Sequence, residues 1–197
     1  MQQILKRFLS PGEVFVDLGA NEGYFTVQAA NLAGPNGLVI AVEPQDRLIP
    51  IIRENVRLND LKNVTIAHLA VSDERGVASL HLTPNINTGA SGFYRQTTYR
   101  LPTQRTCVIT LAELLDRYHV DHVDLMKIDI ESAEYEAILG SPRVFERRLV
   151  KALALELHPT LLAKRGKSGV EIESFLRKAG YERANEFAND VWVVRSE

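Results

Sequence analysis

Compact apolar runs alternate with helix-period segments along nearly the whole chain, and that order constrains the fold more than any other feature. Residues 14–18, 38–42 and 64–69 are apolar runs without the polar alternation of a half-exposed sheet, so each predicts a strand covered on both faces. Residues 24–33 predict a helix closed by Gly34-Pro35-Asn36-Gly37, and Leu48, Ile51, Ile52 and Val56 share one face of a helix reaching about Leu58. Further on, 123–130 and 149–157 predict a fourth and a fifth strand, separated by a helix over 133–139 that stops at Gly140 before Pro142. Thr110 with Glu113, and Ser168 with Glu171, have capping-box spacing ahead of apolar helical faces. Strand–helix repetition of this kind demands an α/β, doubly wound, mostly parallel sheet with right-handed crossovers. The last two short strands, 181–186 and 191–194, are close enough in sequence to form an antiparallel hairpin.

The middle of the chain breaks the rhythm. Residues 70–72 and 77–82 predict two short strands around Asp73-Glu74-Arg75-Gly76. Residues 83–106 are polar, carry Pro84, Gly89, Gly92 and Pro102, and show Phe93, Tyr94 and Tyr99 without a period. A segment so long with so little pattern predicts a functional loop or a disordered one, either a candidate lid and acceptor pocket or a plain loop that orders on a partner. The 197 residues are expected to form one domain, opened by a short amphipathic helix with the stripe Ile4, Leu5, Phe8 and Leu9. That stripe is split by Lys6 and Arg7, unlike a signal peptide, and no apolar run approaches the roughly 20 residues of a membrane helix. Lys plus Arg number 23 against 25 Asp plus Glu, a net charge of -2 that disfavours nucleic acid as the main partner. A lone cysteine, Cys107, excludes an intramolecular disulfide and fits a reducing, cytoplasmic setting.

Chemistry concentrates at the ends of the predicted strands. Asp17-Leu-Gly-Ala-Asn-Glu-Gly23 places a carboxylate and two glycines between the first strand and its helix, where open parallel sheets bind ligands. A phosphate favours bare amides at a helix start, so Asp17 argues for a cationic ligand instead. Glu43, followed by Pro44, ends the second strand, where a carboxylate can take both hydroxyls of a ribose. Two such acids with glycines suit a nucleoside without phosphate, and S-adenosylmethionine combines adenosine, a sulfonium and an ammonium. The plain structural alternative is a helix cap and a tight turn. Gly166-Lys167-Ser168 imitates the end of a phosphate loop, but Leu161 stands where its first glycine belongs. A second constellation, Asp129, Glu131 and Glu134, ends the fourth strand, with Asp129 and Glu131 expected on one side of it by alternation. Glu156 and His158 end the fifth. His68, His81, His119 and His122 lack a comparable acidic neighbour in the sequence and are expected to be structural or exposed.

Five segments in this order, VDLGANEGYFT (16–26), VEP (42–44), AVSD (70–73), KIDIESAE (127–134) and LELH (155–158), resemble the FkbM family of S-adenosylmethionine-dependent methyltransferases. The resemblance implies the class I methyltransferase fold, a seven-stranded sheet with its last strand antiparallel. It implies cofactor contacts by Asp17, Gly19, Asn21, Gly23 and Glu43, with the turn at Leu69 and Ala70 against the adenine. It implies transfer to a hydroxyl of a small-molecule or glycan acceptor such as a sugar, glycolipid or secondary metabolite. Ser132 stands where the family usually has glycine. On this basis His158 or Asp129 is expected to take the acceptor's proton while Glu131 orients it. No metal ligand is assigned, although Asp129, Glu131, Glu156 and His158 are a donor set suited to a divalent ion. The rival expectations are a protein or RNA methyltransferase, a cofactor-binding module impaired by Ser132, and a nicotinamide oxidoreductase. Acceptor identity and oligomeric state are not encoded in these motifs.

Overall fold

The computed structural model describes residues 1–83, 91–92, 102–184, 187 and 190–195. The apolar runs form β1 (Val14–Leu18), β2 (Leu38–Val42), β3 (Val64–Ala67), β7 (Val123–Ile128) and β8 (Val150–Leu155), joined at one edge by β9 (Tyr181–Arg183) and β10 (Asp190–Val194). The seven strands lie in the order β3-β2-β1-β7-β8-β10-β9, all parallel except β10. Strand order reverses between β1 and β7, which puts a ligand crevice at their carboxyl ends.

The missing polar alternation is explained by two apolar layers. Phe15, Val39, Leu125 and Ala152 pack on one face with α1 (Gln2–Phe8) and α2 (Tyr24–Ala33). Val16, Ile40, Met126 and Leu153 pack on the other with α4 (Leu111–Arg117), α5 (Glu134–Leu139), α6 (Pro142–Glu146) and α8 (Gly169–Lys178). A third helix, α3 (Ile49–Leu58), lays Ile49 and Ile52 on Ala41. A strand buried on both sides has no solvent face to mark with polar residues.

β9 stops at Arg183 rather than 186, and three apolar strands also stop earlier than expected, β3 at Ala67, β7 at Ile128 and β8 at Leu155. Their apolar runs continue because Leu69, Ile130 and Leu157 are packed in the loops that follow. Strands β4 (Ala70–Ser72) and β5 (Gly76–His81) exist, but they pair with β6 (Thr103–Thr110) rather than with each other, giving a small sheet β4-β6-β5. The start of β6 falls within the segment predicted to be a loop. Its outer positions Thr103, Arg105 and Cys107 are exposed, so polar residues hid a strand of period two. Pro142 and Pro159 begin α6 and α7 (Pro159–Lys164), since the first helical turn has no use for the missing N–H. Thr110 closes a full capping box with Glu113, but Ser168 caps α8 alone, because the Glu171 carboxylate accepts the Tyr135 hydroxyl instead. Phe93, Tyr94, Tyr99 and Glu186 lie outside the described residues. Among the described residues no helix is long and apolar enough to cross a membrane.

Candidate functional site

The loop after β1 is pinned from two sides. Gly19 and Ala20 both donate backbone hydrogen bonds to the Val42 carbonyl, drawing the loop to the exit of β2. Gly19 has φ +82°, and a Cβ built there would lie 1.9 Å from the Asp129 carbonyl oxygen. Only glycine satisfies both constraints. Gly23, also left-handed, caps the N-terminus of α2.

Glu43 leaves β2 almost fully buried, 2% exposed. Its two oxygens accept the backbone N–H of Asn21 at 2.8 Å and of Gln45 at 2.9 Å. Burial pushes its carboxyl up to about 7; the Gln45 and Asn21 amides oppose that rise, and the charge of Asp17 adds to it.

Asp17 lies buried within the sheet and does not line the cleft. It has no exposure, accepts the Thr26 hydroxyl at 2.8 Å, and lies 3.3 Å from the Lys127 ammonium. Asp17 and Lys127 are register partners in neighbouring parallel strands, so their side chains share a face. The same ammonium donates to the Gly19 carbonyl at 3.0 Å and reaches Asp129 at 3.5 Å. Burial alone would lower the lysine's pKa; Asp17 and Asp129 reverse that and hold it above its ordinary value. Asp17 therefore supports the glycine loop from beneath. Lys127 was the missed residue, and a lysine inside a doubly covered strand is a signal the sequence does carry.

A cleft of about 630 Å³, its open mouth included, lies over this platform. Gly19, Asn21, Glu43, Leu69, Ala70, Asp129 and Glu131 line it. Asp17, Gly23 and His158 do not reach its wall. Leu80, Ser91 and Gly92 line the cleft as well, the last two from the segment read as a candidate lid. Arg47 holds Ser91 in place by donating to the Thr83 carbonyl at 2.8 Å, the Ser91 hydroxyl at 3.2 Å and the Gln45 side-chain oxygen.

Asp129 and Glu131 are not brought together by strand alternation. After β7 the backbone turns through left-handed Glu131 (φ 52°) and Ser132 (φ 78°). One oxygen of fully buried Glu134 organises this turn by accepting the N–H of Ile130 at 3.2 Å and of Ser132 at 3.1 Å. The same oxygen lies 2.9 Å from Nδ1 of His158, and Arg165 binds the Ser132 carbonyl and Glu136 behind it. His158 Nε2 then lies 3.6 Å from Glu131 and 3.9 Å from Asp129. The hydrogen bond to Glu134 raises the His158 pKa to about 9 against the pull of burial, aided by the charges of Glu134, Glu131 and Asp129. Two of the other histidines do have acidic partners: His68 is 2.9 Å from Asp46, and His122 is 2.7 Å from Asp121 and 3.7 Å from buried Asp124, both histidines on the surface.

Ser132 is strained and leaves its buried hydroxyl without a partner among the described residues. Replacing it by glycine removes both costs, offset by glycine's greater freedom in the unfolded chain. Ser132→Gly is expected to stabilise the protein by about 1–2 kcal/mol and to raise Tm by a few degrees in a thermal scan. An unchanged or lower Tm would mean the turn is not strained at this position.

The family model for the Methyltransferase FkbM domain matches residues 17–183. The 31-O-demethyl-FK506 methyltransferase FkbM of Streptomyces tacrolimicus is 27% identical over 160 residues, covering 67% of this chain and 60% of that protein. The crystal structure of Methyltransferase FkbM from Methylobacillus flagellatus KT superposes with a TM-score of 0.62 at 13% identity, over 98% of this chain and 50% of that one. A putative methyltransferase from Streptococcus mutans, solved in complex with SAH, superposes with a TM-score of 0.55 at 12% identity, over 97% of this chain and 92% of that one. The chain thus spans little more than half the length of the first two relatives.

Proposed function

The chain belongs to the FkbM methyltransferase family and S-adenosylmethionine is its cofactor; from that premise we propose that it methylates a hydroxyl of a sugar, glycolipid or secondary metabolite. The observation that carries this is Glu43. Its carboxylate stands on the wall of the cleft with each oxygen held by one backbone amide and a further bond from the Gln45 side chain, and its remaining acceptor capacity serves the ribose hydroxyls. Leu69 and Ala70 face the adenine, Gly19 and Asn21 border the ribose and methionyl part, and Asp17 and Gly23 shape the loop that holds it.

Methyl transfer is an in-line displacement in which a sulfonium and a developing alkoxide cancel charge, so alignment and exclusion of water supply most of the rate. Asp129 is shared between the cofactor cleft and a second cleft of about 450 Å³ bordered by Phe25, Ala154 and Glu156. The acceptor enters through that second cleft. Asp129 takes the hydroxyl proton and Glu131 orients the acceptor. His158, boxed between Glu134, Glu131 and Asp129, holds those carboxylates in place. Incubation with methyl-labelled cofactor and a panel of hydroxylated acceptors tests this. Labelled methyl ether is expected, with turnover falling about a hundredfold or more in Asp129→Asn. Binding without transfer across the panel, or full turnover in that variant, would overturn the assignment.

The cofactor's affinity is expected to depend on pH through Glu43. The carboxyl is raised from 4.5 to about 7 in the folded chain. Protonation therefore contributes stability that is present in full below about pH 4.5 and is lost, on the order of 3 kcal/mol, as pH rises through 7. Ribose hydroxyls need the ionised form as acceptor. Affinity measured by calorimetry should thus be about tenfold weaker at pH 6 than at pH 8. A flat profile would show that Glu43 does not meet the ribose.

A further inference from the structure

Asp129 and Glu156 leave the ends of neighbouring strands β7 and β8, and His158 follows two residues later. One ligand atom from each of the three lies within 4.8 Å of the others. A point equidistant from such atoms is within about 2.8 Å of each, so a small inward rotation reaches the roughly 2.1–2.6 Å of a hard cation's oxygen shell. Exposed Glu156 is free of packing that would prevent that rotation.

The histidine is presented as a ligand is presented. Its Nδ1 is fixed by Glu134, which directs Nε2 to the side of Asp129 and Glu131. A carboxylate on the far ring nitrogen is the usual support of a metal-bound imidazole. Glu134 itself has no exposure, and its second oxygen has no hydrogen-bond partner among the described residues. A cation on Nε2 takes the place of the proton that the raised pKa of His158 keeps there, and so still offsets the buried charge of Glu134. The cluster is also accessible, because Asp129 and Glu156 line the second cleft.

We propose that Asp129, Glu156 and His158 bind one divalent cation of the Mg²⁺ or Mn²⁺ class. In that position the ion would bind the acceptor's hydroxyl oxygen and favour transfer of its proton to the Asp129 oxygen that does not bind the ion. This role rests on the methyl-transfer reading, whereas ion binding is measured with neither cofactor nor acceptor present, so the two can fail separately.

Titration of the full chain with Mn²⁺, followed by electron paramagnetic resonance of the free ion, is the test. One bound Mn²⁺ per chain is expected well below about 1 mM. Glu156→Gln and Asp129→Asn should each weaken binding at least tenfold with thermal unfolding of Glu156→Gln unchanged. Glu54→Gln, which removes a surface acid on α3, should leave binding as it was. No bound ion at about 1 mM, or equal binding in wild type and Glu156→Gln, would overturn the proposal.

Discussion

Lys127→Met is expected to cost about 3–5 kcal/mol of stability, the largest effect of any single side-chain replacement in the site. The methionine fills the volume of the lysine stem but leaves Asp17 ionised in a strand with no exposure, with only the Thr26 hydroxyl to hold it. It also removes the donor to the Gly19 carbonyl, so the glycine loop loses its floor. Urea unfolding should show a lower midpoint at a nearly unchanged slope. Asp17→Asn added to Lys127→Met should recover much of the loss, because the uncompensated charge is then gone. A loss under about 1 kcal/mol in the single variant would mean that the pair is not what holds the loop.

Gly19→Ala is expected to weaken cofactor binding on the order of a hundredfold while the sheet remains folded. A methyl group here has no room: it would stand 1.9 Å from the Asp129 carbonyl, and the left-handed backbone adds its own penalty. The loop must swing off β7, carrying Asn21 away from the Glu43 carboxylate. Far-ultraviolet dichroism should match wild type while calorimetry records the loss. Wild-type affinity would show that the cofactor does not touch this loop.

These two residues also show what the sequence could disclose. Gly19 was legible because its spacing from Asp17 and Gly23 follows a strand run that nothing else explains. The Asp17–Lys127 pair was not, since it depends on the register between strands more than a hundred residues apart. The expectation of a cationic ligand at Asp17 did not include the Lys127 ammonium, which lies beside that carboxylate. The main sheet was readable because its strands are apolar on both faces, whereas β6 was half hidden by the polar side chains on its exposed face. The strand was read two residues too far, to Ile130, and Asp129 and Glu131 were set on one side of it, because no glycine there announces the left-handed backbone at Glu131 and Ser132. The box of carboxylates around His158 combines one turn with the end of another strand, so its raised pKa was not visible from the imidazole alone.

The account depends most on where the nucleoside lies. A crystal structure of the protein with S-adenosylhomocysteine measures this directly. The predicted result is an adenosine in the cleft between Gly19 and Ala70, with both ribose hydroxyls within hydrogen-bond distance of the Glu43 carboxylate. A product molecule bound elsewhere, or a ribose turned away from Glu43, would contradict it.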